Sequence, residues 1–271
     1  MHIVKPIYKK VIPLKVREQI WNSRHTKVDT SIDKSKLEQE EFVILNYCGL
    51  RLLLDNRSNT DLSIRLYQQF EKEQIDYFSS LWSAGSWKKK VFLDIGAHWG
   101  IYSLLAWKSG IFDEIHAFES DRYNYSQLLA QIFLNTAVDI DTVNKFASDK
   151  IGTVKTLKSI LHPDYNRGGV GIVYDYPESD VWEVDCVTID SYLSSKLTDE
   201  CIVFAKIDVE GHQLSVLRGM ESIIQNLNVL IQVEAFPQDE GDLYNYAGYQ
   251  GLRIIKKIGV DHYLTNVKEL I

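Results

Sequence analysis

The stretch VFLDIGAHWGIYS, residues 91–103, decides the fold of this chain. It begins with three apolar residues, reaches an acid at Asp94, and carries two glycines four residues apart, Gly96 and Gly100. A short buried strand, a glycine turn and a helix start are together typical of a nucleotide-type binding corner. Glycine lets the backbone approach a ligand closely, and the start of a helix offers unpaired N–H groups to a carboxylate or phosphate.

Beyond this corner the chain alternates short apolar runs with helical patterns. Strands are predicted over EIHAF (114–118), near residues 142–147, from residue 184, over CIVFAKID (201–208) and over VLIQVEA (229–235), with helices at 123–134 and 213–227. Nearly continuous apolar strands that alternate with helices predict a parallel sheet covered on both faces. The last two runs, LRIIKKI and HYLTNV, have no helix between them, so we expect an antiparallel hairpin at the sheet edge. The prediction is a Rossmann-like α/β fold with a mostly parallel seven-stranded sheet.

The first 85 residues differ from this pattern and are predicted to form an extension, residues 1–85, ahead of the main domain, residues 86–271. Residues 1–28 carry seven lysines and arginines against one acid, interleaved with apolar residues. Such a basic arm suits either an anionic membrane surface or a solvated or subunit-contacting role. Two apolar runs around Cys48-Gly49 predict a hairpin, and the spacing in residues 62–82 predicts one or two helices.

Composition limits the classes of function. The formal net charge of −7 argues against a general nucleic-acid binder, which would normally be basic. The three cysteines, Cys48, Cys186 and Cys201, lack any metal-binding spacing and are typical of free thiols in a reducing compartment. There is no signal-peptide pattern and no apolar run of about 18 residues. We therefore expect a cytoplasmic protein, with the basic arm as a hypothetical contact to the inner membrane face; homo-oligomerisation is left open.

Acidic residues recur where the predicted strands end. Four of them stand at such ends, and a fifth lies just past the third strand: Asp94, Glu119, Asp208, Glu234 and Asp149. Ligands of doubly wound sheets gather at the carboxyl ends of the strands, and buried strands tolerate acids poorly. The pattern therefore predicts a polar crevice along one edge of the sheet.

The spacing of Glu119 and the glycines separates two classes of ligand. Glu119 follows Gly100 by 19 residues, where a carboxylate accepts hydrogen bonds from two ribose hydroxyls. The dinucleotide fingerprint GxGxxG fails, because His98 and Ile101 replace its second and third glycines. The methyltransferase form, acid-x-Gly-x-Gly-x-Gly, is met except at His98. Histidine is enriched at positive φ, so His98 is predicted to hold the turn.

Five segments in order resemble the FkbM-type methyltransferase family: DIGAHWGIYS, HAFES, NKFASDKIG, VTIDSYL and KIDVEGHQLSVLRGM. The resemblance covers about residues 60–271 and implies a class I methyltransferase fold, S-adenosylmethionine as methyl donor, and O-methylation, often of sugar hydroxyls. By position it implies that Asp94, Gly96, His98 and Gly100 surround the methionine part of the methyl donor, Glu119 the ribose, and Ser148 with Asp149 the adenine. His98, Phe146 and Gln213 depart from the residues most common in the family.

The segment KIDVEG supplies the candidate catalytic residues. Lys206, Asp208 and Glu210 alternate, so their side chains share one direction if the extended conformation continues. Asp208 is predicted to lie near the reacting methyl group, with Glu234 on the neighbouring strand. Asp208 or Glu210 would orient or deprotonate the acceptor, and Lys206 would hold one of these carboxylates in place. A structural ion-pair cluster, or a Mg²⁺ site at Asp208 and Glu234, are the alternatives.

Two further features bear on the acceptor. The polar insertion HPDYNRGGVG, residues 162–171, suits a loop that binds a carbohydrate acceptor, although a plain surface loop fits nearly as well. Tyr192 and Lys196 have the Tyr-x-x-x-Lys spacing of some NAD(P)-dependent sugar oxidoreductases, but they precede the fourth strand and GxGxxG is missing. That oxidoreductase, and a non-catalytic binding protein with the same fold, are the competing interpretations.

Overall fold

A computed structural model describes residues 41–161, 166–169, 171–173, 177–193, 197–198 and 200–268. The basic arm predicted for residues 1–28 lies outside the described residues, as do Lys196 and part of the polar insertion, residues 162–165 and 170. The predicted membrane contact of the arm therefore stays a prediction.

Strands and helices alternate along the described chain. The strands are β1 (Phe42–Tyr47), β2 (Leu50–Asp55), β3 (Lys89–Ile95), β4 (Glu114–Phe118), β5 (Ile140–Val143), β6 (Phe146–Ala147), β7 (Gly152–Leu157), β8 (Val181–Val187), β9 (Cys201–Ile207), β10 (Asn228–Glu234), β11 (Arg253–Ile258) and β12 (Asp261–Thr265). The α-helices are α1 (Asn59–Tyr67), α2 (Lys72–Ser80), α3 (Ile101–Ser109), α4 (Arg122–Asn135), α5 (Ile189–Leu193), α6 (Gln213–Arg218), α7 (Glu221–Asn226) and α8 (Glu240–Tyr249). Among the described residues, no helix is long and apolar enough to cross a bilayer.

The central element is a seven-stranded sheet with the order β11-β12-β10-β9-β3-β4-β5. Five neighbouring strands, from β10 to β5, run parallel, whereas β12 pairs antiparallel with both β10 and β11. The mostly parallel sheet and the C-terminal antiparallel hairpin are therefore confirmed. Because the chain turns in opposite directions on either side of β3, ligands are expected at the carboxyl ends of β3 and its neighbours.

Both faces of the sheet are covered by helices, as predicted. All seven residues of β9 are buried, which explains its unbroken apolar run. Phe92 and Phe204 face a core shared with α3 and α4, whereas Val91 and Val203 face a second core shared with α6, α7 and α8. Alternate residues of each central strand thus belong to different cores.

The N-terminal hairpin and helices pack on the first of these cores. β1 and β2 pair antiparallel around Cys48 and Gly49, whose φ angles of 50° and 71° give the two-residue turn expected there. Side chains of β2 are buried in the same core as α4, and Gln131 of α4 bonds both the N–H and the C=O of Leu53. The boundary between residues 85 and 86 stays a prediction.

The predicted third strand was wrong in extent. β5 ends at Val143, and Phe146–Ala147 belongs instead to a separate three-stranded sheet of order β6-β8-β7. Asn144 lies at the change of direction, where its side-chain amide donates to the carbonyl oxygens of Glu119 and Ser120. These bonds tie the bend to the end of β4, so the strand cannot continue straight.

The single helix predicted over residues 213–227 was also wrong, because the chain forms two short helices, α6 and α7. Gly219 lies between them, and a Cβ atom there would be 1.9 Å from the carbonyl oxygen of Ser148. The apolar spacing continues through both helices, but the backbone must come close to the β6 segment, which only glycine permits.

Replacement of Gly219 by alanine should lower the free energy of unfolding by about 1–3 kcal/mol, since the added methyl group overlaps the Ser148 carbonyl. Urea denaturation measures this change. Gly248→Ala is the matched control: a Cβ there meets nothing within 4 Å, and in α8 alanine should stabilise by up to about 1 kcal/mol. Equal effects of the two substitutions would contradict the packing described for Gly219.

Candidate active site

One cavity lies at the carboxyl ends of the central strands. The turn after β3, the end of β4, the β6 segment, the turn after β9 and the connection between α1 and α2 all contribute to its wall. Lining residues include Phe70, Glu71, Gly96, His98, Glu119, Phe146, Lys206, Asp208 and Glu210. Two of the five acids predicted at the strand ends, Glu119 and Asp208, thus line one cavity.

The glycine turn joins the two central strands closely. Gly96 has a φ of 80°, and a Cβ atom on it would lie 1.9 Å from the carbonyl oxygen of Asp208. The Asp208 N–H in turn donates to the Ile95 carbonyl at 2.9 Å. Gly100 is the residue just before α3 and has a φ of 88°. A Cβ atom on it would lie 2.3 Å from Leu128 Cδ1. Both glycines are therefore required by the backbone.

His98 fills the place of the missing middle glycine. The positive φ predicted for it is confirmed at 53°. Its backbone N–H donates to Glu119 Oε2 at 2.7 Å, so the turn is tied to the end of β4. Burial, reinforced by the charge of Arg167, lowers the pKa of His98 well below its usual value. The imidazole is therefore neutral at physiological pH.

Glu119 is buried at the end of β4 and faces the cavity. Oε2 accepts from His98 as described, and Oε1 accepts from the Asp121 N–H at 2.8 Å. Each carboxylate oxygen keeps a second lone pair for a ligand hydroxyl. Burial, with repulsion from Asp121, raises the pKa of Glu119 to about 8. The arrangement suits the predicted ribose contact.

Asp94 lies behind the cavity wall rather than on it. Its Oδ2 accepts from the backbone N–H and the hydroxyl of Ser103 at 2.9 and 2.7 Å. The first bond satisfies one orphan backbone N–H in the first turn of α3, and the second holds the Ser103 side chain. Burial raises the pKa of Asp94, against the opposing effect of the Lys206 charge. Asp94 therefore fixes the start of α3.

Ser148 and Asp149 lie just beyond the part of the chain that lines the cavity. The Ser148 hydroxyl is 3.0 Å from His212 Nε2 and 3.2 Å from Asp149 Oδ1. The lining residues of this segment are the three that precede Ser148: Lys145, Phe146 and Ala147. The adenine role of Ser148 and Asp149 stays a prediction.

The predicted catalytic acids come together by a route that differs from the prediction. The extended conformation ends at Ile207, and Glu210 has a φ of 48°, so the alternation of side chains does not continue. Even so, carboxylate oxygens of Asp208, Glu210 and Glu234 all lie within 4.8 Å of one another. The turn after β9 thus folds Glu210 back towards β10.

Lys206 is the cation of this acidic group. Its ammonium donates to Asp208 Oδ2 at 3.0 Å and lies 4.9 Å from the centre of the Tyr102 ring. Burial acts to lower the pKa of Lys206, but the neighbouring carboxylates outweigh it and raise that pKa. In decreasing order of effect these are Asp208, Glu71 and Asp94. Lys206 therefore stays charged and holds Asp208, as predicted for it.

Backbone strain is concentrated around the cavity. Among the described non-glycine residues with positive φ, Gln68 and Thr136 follow helices and Cys48 lies in the hairpin turn. The other three line the cavity: Glu71, His98 and Glu210, with φ of 41°, 53° and 48°. Strained residues persist where surrounding contacts enforce them, and they cluster at functional sites.

The described part of the polar insertion reaches the same cavity. Asn166 and Gly168 line the wall, and between them Arg167 turns inward and is buried. By contrast Tyr192, on which the oxidoreductase interpretation depends, donates to Asp141 Oδ2 at 2.7 Å and packs its ring against Phe118.

A family model for the methyltransferase FkbM domain matches residues 94–259, more than half of the chain. The chain belongs to the FkbM methyltransferase family. No curated protein matches it.

Several solved structures are similar. One is the methyltransferase FkbM from Methylobacillus flagellatus, at 21% identity and a TM-score of 0.45, over 75% of this chain and 52% of that one. This chain therefore spans about half the length of that protein. A SAM-dependent methyltransferase from Agrobacterium tumefaciens matches at 9% identity and a TM-score of 0.47, over 83% and 70% of the two chains. TYW2 from M. jannaschii, in complex with AdoMet, matches at 13% identity and a TM-score of 0.42, over 84% of each.

Family membership and the sheet order together establish the class I methyltransferase fold, whose methyl donor is S-adenosylmethionine. The residues present fit that group. The glycine turn lines the cavity, Glu119 presents two acceptors, and His98 keeps an unpartnered buried Nε2 among the described residues.

Part of the cavity wall was missed by the sequence analysis. Thr60, Phe70 and Glu71 line the cavity from the segment ahead of the FkbM-matched residues. Glu71 Oε2 accepts from the Tyr102 hydroxyl at 2.9 Å, which ties the α1–α2 connection to α3. No sequence signal marks these residues, since only the tertiary packing of α1 and α2 brings them to the strand ends.

Binding of the methyl donor should weaken as the pH falls through about 8, the pKa of Glu119, because only the ionised carboxylate accepts from both ribose hydroxyls. The loss should approach about tenfold in affinity per pH unit below that value. Calorimetric titration with S-adenosylhomocysteine between pH 6.5 and 9 measures it. Glu119→Gln is the control, since the difference between the two proteins cancels any titration of the ligand. The same slope in both proteins would refute the assignment.

Proposed function

We propose that this protein transfers the methyl group of S-adenosylmethionine to a hydroxyl group of a sugar, in a glycan or a glycan precursor. The observation that carries the proposal is that one cavity is lined both by the glycine turn with Glu119 and by Asp208 and Glu210. A site for the methyl donor and a set of candidate bases therefore share one space. The FkbM family membership supports the same reaction class.

The methyl-donor half of the cavity is formed by residues at the carboxyl ends of β3 and β4 and by residues of β6. Gly96 and His98 would face the methionine part, Glu119 would accept from the ribose hydroxyls, and Phe146 would offer an apolar surface to the adenine. S-adenosylmethionine supplies the methyl group on a positively charged sulfur. The protein's contribution here is position, which accounts for much of the rate of such displacements.

The acceptor half contains the groups that handle the proton. As the acceptor oxygen bonds to the methyl carbon, its proton would pass to the carboxylate of Asp208 or Glu210. Lys206 holds Asp208 by a 3.0 Å hydrogen bond to Oδ2 and so fixes the orientation of the carboxylate. Lys206 is a positioning residue in this scheme.

The wall around these acids suits a neutral polyhydroxyl compound. Phe70 presents a half-buried ring, and Glu71, Asp208 and Glu210 present carboxylates that accept hydrogen bonds from hydroxyl groups. The acids outnumber the cation Lys206 here, so an anionic acceptor would be repelled. These features support a sugar hydroxyl as the acceptor.

Incubation with labelled S-adenosylmethionine and a panel of neutral glycans tests the proposal. We expect label in a neutral sugar that survives mild alkali, because a methyl ether is stable where a methyl ester is hydrolysed. Alkali-labile label would assign the transfer to a carboxylate. Binding of the methyl donor without transfer to any acceptor would favour the non-catalytic interpretation, and binding of NAD instead would favour the oxidoreductase.

Asp208→Asn should lower kcat by about 10²- to 10⁴-fold, the usual contribution of a general base, with the affinity for the methyl donor nearly unchanged. Steady-state kinetics and calorimetry separate the two quantities. Asp139→Asn, an exposed position after α4, is the control. An unchanged kcat with bound methyl donor would contradict the base role.

The Mg²⁺ alternative is tested with the same assay. Asp208, Glu210 and Glu234 offer three oxygens close enough to share an ion, and Mg²⁺ favours few carboxylates plus water. Loss of transfer in EDTA, restored by Mg²⁺, would support the metal role. Activity unaffected by EDTA would leave Asp208 as a metal-independent base.

A further inference from the structure

Arg167 is a buried arginine whose hydrogen bonds are only partly used. Its side chain is 4% exposed, and Nη2 donates to Asp61 Oδ2 at 3.2 Å and to Gln127 Oε1 at 2.6 Å. The guanidinium also lies over the ring of Tyr123, 5.0 Å from its centre. These contacts fix the guanidinium between α1 and α4.

The remaining donors of Arg167 have no partner among the described residues. Both Nε and Nη1 are buried there without a hydrogen bond. Such orphaned donors are costly, and native structures rarely keep them without a reason such as a bound ligand or ion. Two cavity-lining residues also have a polar atom that lacks a hydrogen bond. His98 Nε2 and Asn124 Oδ1 are both buried and unpartnered in the described structure.

Arg167 lies next to this part of the cavity wall, between the lining residues Asn166 and Gly168. The Asn124 amide donates to the carbonyl oxygen of Arg167 at 2.9 Å, and the Arg167 charge is one of the causes of the lowered pKa of His98. His98 belongs to the glycine turn, and Asn124 follows Glu119 by five residues in the first turn of α4. The unused polar atoms therefore lie on the methyl-donor half of the cavity, with Asp208 and Glu210 on the other half.

The positive charge of Arg167 is only partly neutralised by Asp61, so Arg167 can also attract an anion. Asp61 is shared, because its Oδ2 also accepts from the Asp55 N–H and from the Gln127 amide, both at 2.7 Å. The contact of Arg167 with that oxygen is the longest of the three. A guanidinium with spare donors is the side chain best suited to a carboxylate.

We propose that Arg167 binds the carboxylate at the amino-acid end of the methyl donor. The proposal rests on the proposed function, since it presupposes that S-adenosylmethionine binds in this cavity. The described part of the polar insertion would then have a defined role. Arg167 would bind the negative end of the methyl donor, and Asn166 and Gly168 line the cavity wall beside it. An acidic group of the acceptor is the other source of a carboxylate, and the acids of the acceptor half disfavour it.

Calorimetry with two ligands tests the assignment: S-adenosylmethionine and its decarboxylated analogue. The wild-type protein should prefer the carboxylated ligand by roughly 10- to 100-fold, as expected for hydrogen bonds between charged groups. Because Arg167→Gln alone leaves Asp61 buried and unpaired, the double substitution Asp61→Asn with Arg167→Gln is the main variant. In that variant the preference should fall below about threefold, with the affinity for the decarboxylated ligand nearly unchanged.

Arg122→Gln is the matched control, since Arg122 is exposed and lies 4.8 Å from the ring centre of Trp182. It should keep the wild-type preference. A double variant that loses affinity for both ligands equally would assign Arg167 a purely structural role and overturn the proposal, as would an unchanged preference. Failure of the wild-type protein to bind either ligand would instead count against the proposed function.

Discussion

The contact between the ends of β3 and β9 determines where every part of the site lies. Gly96 has no side chain, so the turn after β3 rests directly against the Asp208 carbonyl, where a Cβ would come within 1.9 Å. The reciprocal bond from the Asp208 N–H to Ile95 closes the same joint. The turn that would hold the methyl donor and the acid that would receive the acceptor proton are thus fixed to each other through backbone atoms. The spacing of the two backbone segments therefore does not depend on side-chain rotamers, which suits a reaction governed by position.

Acidic groups outnumber cations around this joint. Lys206 lies near Asp208, Glu71 and Asp94, and their negative charges raise its pKa despite burial. Among the residues that the structure describes, no lysine or arginine forms an ion pair with Glu119, and burial raises its pKa to about 8. Under the proposed function, the methyl donor would bring hydroxyl groups to Glu119 and a positive sulfur towards the acids, and its binding would relieve part of this unfavourable burial.

Much of this was visible in the sequence, because local rules control it. The sheet and its terminal hairpin follow from apolar runs, and the positive φ of His98 follows from the place it fills in a glycine turn. Features that depend on distant contacts were not visible. The break at Gly219 requires knowing that Ser148 lies against it, and Glu71 reaches the cavity only through the packing of α2. Glu210 joins the acids through a turn, whereas the sequence suggested a continued strand.

We propose that the glycine turn and Glu119 form a site for S-adenosylmethionine and not for a dinucleotide. Calorimetric titration of the same protein with S-adenosylhomocysteine and with NAD distinguishes the two ligands. We expect saturable binding of S-adenosylhomocysteine at one site per chain, and no binding heat with NAD. Saturable binding of NAD without binding of S-adenosylhomocysteine would contradict it.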